Sequence, residues 1–355
     1  MEKIDLQIIN KINQKMNEYN SREDSFHNKY GYIRKIVHCD TRDFKCIAVG
    51  KSFIADKNWK TFPDFLFDYL KLVLGKGWWE YNINKVKPEQ HQIISWYLKM
   101  LEFQGKQKKN SDGFYYSIPD DSMLSYTLLS YDLYTISHNS DLQERVIKRL
   151  KNSNQFQGAR FELFVASTFI RAGFQINYSD ESDRTQKHPE FIAEIPKTGQ
   201  LIAVEAKSRH RKLDVVNKAS SNKNLKLGIT QLINRALRKS PNYPFIIFID
   251  LNFPDSKKHH PNNYNHLKLE FNKSFKKNSI DNEFSIIYFT DHNLSIKNNN
   301  PRSNYCESIF AVSKTPKFEI KEMNYVLSKL NKAISQFGNI PNSFSEMDFN
   351  NTIEL

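Results

Sequence analysis

Cysteine is scarce in this chain: Cys39, Cys46 and Cys306 are the only three in 355 residues. So few, and an odd number, argue against a disulfide framework and for a reducing, cytoplasmic setting. Long hydrophobic runs are also missing. None approaches the roughly 18 residues needed to span a bilayer, so no membrane association is expected. The stretch Met1 to Asn20 alternates Ile and Leu with Lys, Asn and Gln, without the apolar core of a secretion signal. Gly75-Lys76-Gly77 lacks the further glycine and the Ser or Thr of a phosphate-cradling loop, so no ATP dependence is expected. His38, Cys39 and Cys46 have zinc-ligand types but a single Cys-x6-Cys spacing and no second pair, which argues against a zinc site. No internal repeat is visible. Acidic residues fall short of basic ones, 39 against 52, leaving a formal charge of +13. That surplus suggests a polyanionic partner only weakly, because basic soluble proteins that touch no nucleic acid are common.

What is present suffices for folded cores: 39% hydrophobic residues, with 26 Phe and 17 Tyr. At about 150 residues per domain, two domains are expected. In residues 1–150 helical periodicity dominates, over Ile4 to Tyr19, Phe62 to Leu74, Pro88 to Phe103, Ser122 to Ile136 and Leu142 to Leu150. A β-hairpin is predicted from Tyr30 to Cys39 and Phe44 to Ile54. Residues 151–338 change character. A helix over Phe156 to Ala172 precedes short strands at Phe174 to Tyr178, Glu190 to Ile195 and Leu201 to Ser208, then a helix at Gly228 to Arg238. Phe245 to Leu251 is apolar on both faces, as a covered central strand must be, and Phe284 to Thr290 repeats the pattern. The order reads as an α/β fold. Residues 255–282 read as a loop or helical insertion and 339–355 as a flexible tail.

Chemistry concentrates between Gly158 and Lys207. Glu162 shares a helix face with Ala159, Ala166 and Phe169, where a carboxylate needs a cation or a metal as partner. The plainer alternative is an edge glutamate paired with Arg160 or a lysine. Glu190 opens a strand after Pro189. In Leu201 to Lys207, period-2 alternation sets Glu205 and Lys207 on one face and Ile202, Val204 and Ala206 on the other. Two carboxylates on adjacent strands can converge on a hard divalent cation, which prefers oxygen ligands. Such a cation activates water and polarises a phosphoryl oxygen, and a lysine beside it stabilises the developing charge.

The helical Glu162, then Pro189-Glu190, then Glu205-Ala206-Lys207 resembles the core of the PD-(D/E)xK nuclease superfamily. The resemblance covers roughly residues 155–255. It implies a restriction-endonuclease-like α/β/α core with a central mixed sheet, here preceded by a mostly helical N-terminal region. It further implies a Mg²⁺-dependent nuclease, with Mn²⁺ as substitute, acting on nucleic acid, DNA first, in a setting such as defence against foreign DNA. By the same resemblance Glu190 and Glu205 ligate the metal and Lys207 orients the attacking water. Glu162 is a further metal or neighbouring ligand, and Gln231, on the next helix, stands beside the site. The family's first acidic position is normally Asp; here it is Glu190, one methylene longer, and Asp180 or Asp183 just upstream are the alternatives. A relative that keeps the fold but has lost activity, binding nucleic acid or scaffolding a complex, is the competing reading.

Past Lys207 run Arg209, Arg211 and Lys212, then Lys218, Lys223 and Lys226, placed either to hold phosphates or simply as a solvated loop. His259, His260 and His266 lack acidic companions at metal spacing. Trp78, Trp79, Trp96 and Tyr97 read as core aromatics ahead of base-stacking surfaces. The N-terminal 150 residues are expected to serve substrate selection, homodimerisation, partner binding or regulation.

Overall fold

The computed structural model describes residues 6–107, 111, 119–178, 188–209, 228–252, 262–278, 282–292 and 306–347. It is mixed α/β. The first part consists of helices α1 (Leu6–Tyr30), α2 (Phe62–Leu74), α3 (Lys76–Ile83), α4 (Gln92–Gly105), α5 (Asp121–Asn139) and α6 (Glu144–Leu150), with strands β1 (His38–Asp40), β2 (Lys45–Val49) and β3 (Ser52–Asp56). The second part runs α7 (Phe156–Arg171), β4 (Gln175–Tyr178), β5 (Phe191–Glu194), β6 (Leu201–Ser208), α8 (Ile229–Leu237), β7 (Phe245–Asp250), α9 (Asn262–Asn278), β8 (Ile286–Asp291), β9 (Glu307–Val312) and α10 (Met323–Ser335).

Local signals account for several boundaries. The Thr61 hydroxyl accepts from the Asp64 N–H while Asp64 accepts from the Thr61 N–H, a reciprocal cap with Pro63 in the first turn. Gly75, at φ 82°, closes α2. The helix predicted to end at Tyr19 runs on to Tyr30. The predicted hairpin is a three-stranded meander, because Gly50 at φ +58° turns the chain between Val49 and Ser52. Residues 262–278 of the expected insertion form α9, and β9 and α10 had no sequence prediction.

The six-stranded sheet has the order β4-β5-β6-β7-β8-β9. β6, β7 and β8 are parallel, and the remaining pairings are antiparallel. Every residue of β7 and β8 is buried, as expected for strands covered on both faces. One face (Ile202, Val204, Ala206, Ile246, Phe248, Ile286, Tyr288) joins the core that includes α5, α7 and α10. The other (Ala203, Ile247, Ile249, Ile287, Phe289) packs on Ile229, Leu232, Ile233 and Ala236 of α8 and Leu267 of α9. The result is an α/β/α sandwich.

The larger core is continuous from Phe26 to Phe344, so the two regions read as separate domains share one interior. α5, buried all round, lies against α2, α4 and α7. Its Asp132 accepts from Arg171 (2.9 Å) and Ser167 (2.6 Å) of α7. The described part of the expected tail, residues 339–347, is anchored: Phe344 is buried against Phe62, and Glu346 accepts from the Tyr30 hydroxyl. One aromatic side chain with a place in the core is enough to tie the segment down. No helix among the described residues is long and apolar enough to cross a membrane.

Candidate active site

The β5–β6 ladder pairs Phe191 with Val204 and Ile192 with Ala203. Just before the ladder, the Glu190 N–H donates to the carbonyl of Val204, the residue already paired with Phe191 (3.0 Å), so Glu190 steps out of the regular register. Lys207, two residues after Glu205, shares its face and brings the two carboxylates together. The Lys207 ammonium donates to Glu205 Oε1 and lies 3.5 Å from Glu190 Oε1. Glu205 is 0% exposed, and its Oε2 has no hydrogen-bond partner.

Glu162, near the start of α7, is held by Arg149 of α6. Two N–H groups of the guanidinium donate to its two oxygens at 2.6 and 2.7 Å. One turn earlier on α6, Arg145 donates to the main-chain carbonyl of Glu190 (3.5 Å). Glu162 and Glu190 both line a cavity of about 10 Å³, together with Arg145 and Tyr178.

Burial, then the charge of Glu190, pushes the carboxyl of Glu205 up to about 7 against the pull of Lys207. The same two causes raise Glu162 to about 7 against Arg149 and Lys207. Burial alone would lower the pKa of Lys207, but Glu205 and Glu190 hold it above its ordinary value. Lys207 is thus an ammonium at neutral pH, suited to donating hydrogen bonds and offsetting negative charge and unsuited to acting as a base.

The residues fit a hard divalent cation in part. Glu190 and Glu205 side by side, with one buried oxygen lacking a partner, are the oxygen donors such an ion prefers. Glu162 does not complete a trio. Both its oxygens are engaged by Arg149, and among the described residues no group of three or more His, Cys, Asp or Glu side chains is arranged to hold a metal.

Of the other predicted residues, Gln231 is exposed on α8, away from its buried stripe, and no contact joins it to the carboxylates. Arg209 leaves β6 with its N–H on the Asp250 carbonyl (3.1 Å). Burial lowers its pKa, while the charges of Glu270 and Asp250 oppose that shift. Arg211, Lys212, Lys218, Lys223, Lys226, Asp180, Asp183, His259 and His260 lie outside the described residues. His266 is half-buried on α9. Trp78 donates to the Lys151 carbonyl (3.2 Å), and Trp96 is buried, in keeping with a core role for these aromatics.

Sequence reading missed Arg145, Arg149 and Tyr178. The available signal was two arginines four residues apart, hence on one helix face, just ahead of the Glu162 helix. It also missed Asp250, buried at the end of β7. Asp250 accepts from the N–H groups of His292 (3.0 Å) and Asn252 (3.2 Å) and from the Ser208 hydroxyl (3.0 Å). Burial and neighbouring Asp291 push its carboxyl up to about 7. No family model, no curated protein and no solved structure matches the chain.

Proposed function

We propose that the protein is a divalent-metal-dependent nuclease of the restriction-endonuclease-like type that hydrolyses phosphodiester bonds, in DNA. The observation that carries this reading is the meeting of Glu190, just ahead of β5, with Glu205 and Lys207 of β6. It is supported by the mixed sheet with helices on both faces, as the resemblance implies. Glu190 and Glu205 hold the cation, Mg²⁺ or Mn²⁺. When bound, it supplies an activated water and polarises the phosphoryl oxygen under attack. Lys207, protonated and fixed by both carboxylates, donates to that water and offsets the charge that gathers on the phosphoryl oxygens. Burial of Glu205 in the strand keeps its oxygen pointed and excludes competing water. A cytoplasmic setting, a role in defence and contacts through the N-terminal helices to a second copy or a partner protein belong to the same proposal.

The test is cleavage of labelled single- and double-stranded DNA by the full chain with Mg²⁺ or Mn²⁺, beside Lys207→Ala and Glu205→Ala. Both substitutions should abolish turnover while circular dichroism stays native. Undiminished cleavage by either removes the assignment. Salt-sensitive DNA binding by the unaltered chain, with no turnover under either metal, would instead identify an inactive binding protein.

A further inference from the structure

We propose that Arg149 grips the substrate phosphodiester, with Glu162 as the residue that positions it and not as a metal ligand. This rests on the nuclease reading of the neighbouring carboxylates and assigns the contact that holds their substrate.

The charges at the site are unequal in what they have left to give. The Lys207 ammonium is engaged by Glu205 and Glu190. Arg149 spends one hydrogen from each terminal nitrogen on Glu162. A guanidinium carries five N–H donors, so three remain. The pair is layered: the Arg149 side chain is 33% exposed and that of Glu162 11%, which puts the carboxylate beneath and the guanidinium toward solvent. The two-point hold fixes the guanidinium plane, so an incoming anion need not order a flexible side chain. A planar fork of N–H donors matches the oxygens of a phosphodiester.

Stability alone is a weak account of the arrangement: the two-point pair satisfies Glu162, but seating a carboxylate on the apolar side of α7 has a desolvation cost that pairing at best offsets. Position does account for it. Val146 and Leu150 anchor α6 in the core, so Arg149 and Arg145 project from a fixed helix, and Arg145 reaches the main chain of Glu190. Arg149 lies within electrostatic range of Glu162, Glu190 and Glu205 together, and these hold its pKa above the ordinary value although burial alone would lower it. An anion approaching three carboxylates needs an interposed cation, and Arg149 is placed to be that cation.

The test uses the full chain in EDTA, where no cleavage occurs, with a fluorescent single-stranded oligonucleotide followed by anisotropy over a range of salt. Arg149→Met should weaken binding about tenfold and reduce the slope of log affinity against log salt by about one. Arg149→Lys keeps the charge and loses the fork, so it should keep the slope and lose part of the affinity. Glu162→Gln should weaken oligonucleotide binding several-fold and leave Mg²⁺ affinity, read by calorimetry, unchanged. Unaltered binding and slope in Arg149→Met, or loss of Mg²⁺ binding in Glu162→Gln, overturns the assignment. If the unaltered chain binds the oligonucleotide with the predicted Arg149 dependence yet cuts nothing with Mg²⁺ or Mn²⁺, the nuclease reading fails and the phosphate contact stands. Failure of the unaltered chain to bind overturns the contact.

Discussion

Glu205→Gln should make the metal-free protein more stable at alkaline pH while removing the proposed nuclease activity. Glu205 is fully buried, one of its oxygens has no partner, and Glu190 repels it across the strand pair. Its carboxyl is raised from an ordinary 4.5 to about 7. The fold therefore favours the neutral form. That contribution to stability is complete below about 4.5 and is lost as pH rises through about 7. At 1.36 kcal/mol per pH unit, ionising the group at pH 8 costs the fold up to about 3 kcal/mol. Glutamine has nearly the same shape and never ionises. It also gives up the ion pair with Lys207, which keeps Glu190 at 3.5 Å. The net gain expected at pH 8 is about 1–3 kcal/mol, falling to near zero at pH 5. Urea unfolding in EDTA at the two pH values measures it, and the titrating groups that do not interact with Glu205 cancel in the difference between the two proteins. Added Mg²⁺ should then stabilise the unaltered chain and not the variant, since binding to the native state alone raises apparent stability. A variant less stable than the parent at pH 8, or a difference that does not change with pH, would refute the account of Glu205 as a strained carboxylate kept for a ligand.

Asp250→Asn should behave similarly away from the proposed site. Asp250 is raised from an ordinary 3.8 to about 7, so its contribution is present below about 4 and lost as pH rises through about 7. The asparagine oxygen can keep the two backbone donors, and the Ser208 hydroxyl can turn to accept, so a gain of up to about 4 kcal/mol at pH 8 and almost none at pH 4 is expected from chemical denaturation. Gly31→Ala tests the junction between α1 and α7: Gly31 has φ +84°, and an added Cβ would meet the Arg171 carbonyl oxygen at 2.5 Å. A loss of at least about 2 kcal/mol in unfolding free energy is expected, with the proposed DNA cleavage per folded molecule unchanged.

Much of the site was legible because strand periodicity is local. Alternation along Leu201 to Lys207 put Glu205 and Lys207 together, and the apolar run Phe245 to Leu251 announced a covered strand. β9 and α10 were not legible: β9 is an exposed edge strand carrying Ile309, Phe310 and Val312, with no clean alternation to read. Residues 339–347 of the expected tail pack because one buried residue, Phe344, decides their place, and nothing local says which phenylalanine has a cavity waiting.

By itself the sequence determined the α/β class, most element positions and the residue types capable of phosphodiester chemistry, since all of these follow from short-range periodicity and composition. Only the tertiary structure decided which charges meet. The pairing of β5 with β6 brought Glu190 to Lys207 and Glu205, and the docking of α6 on α7 gave Glu162 to Arg149. The facing of α8 left Gln231 in solvent, and the insertion of α5 against α7 merged two expected cores into one. These are pairings between segments distant in the chain, and burial of shared apolar surface, not local preference, selects among them.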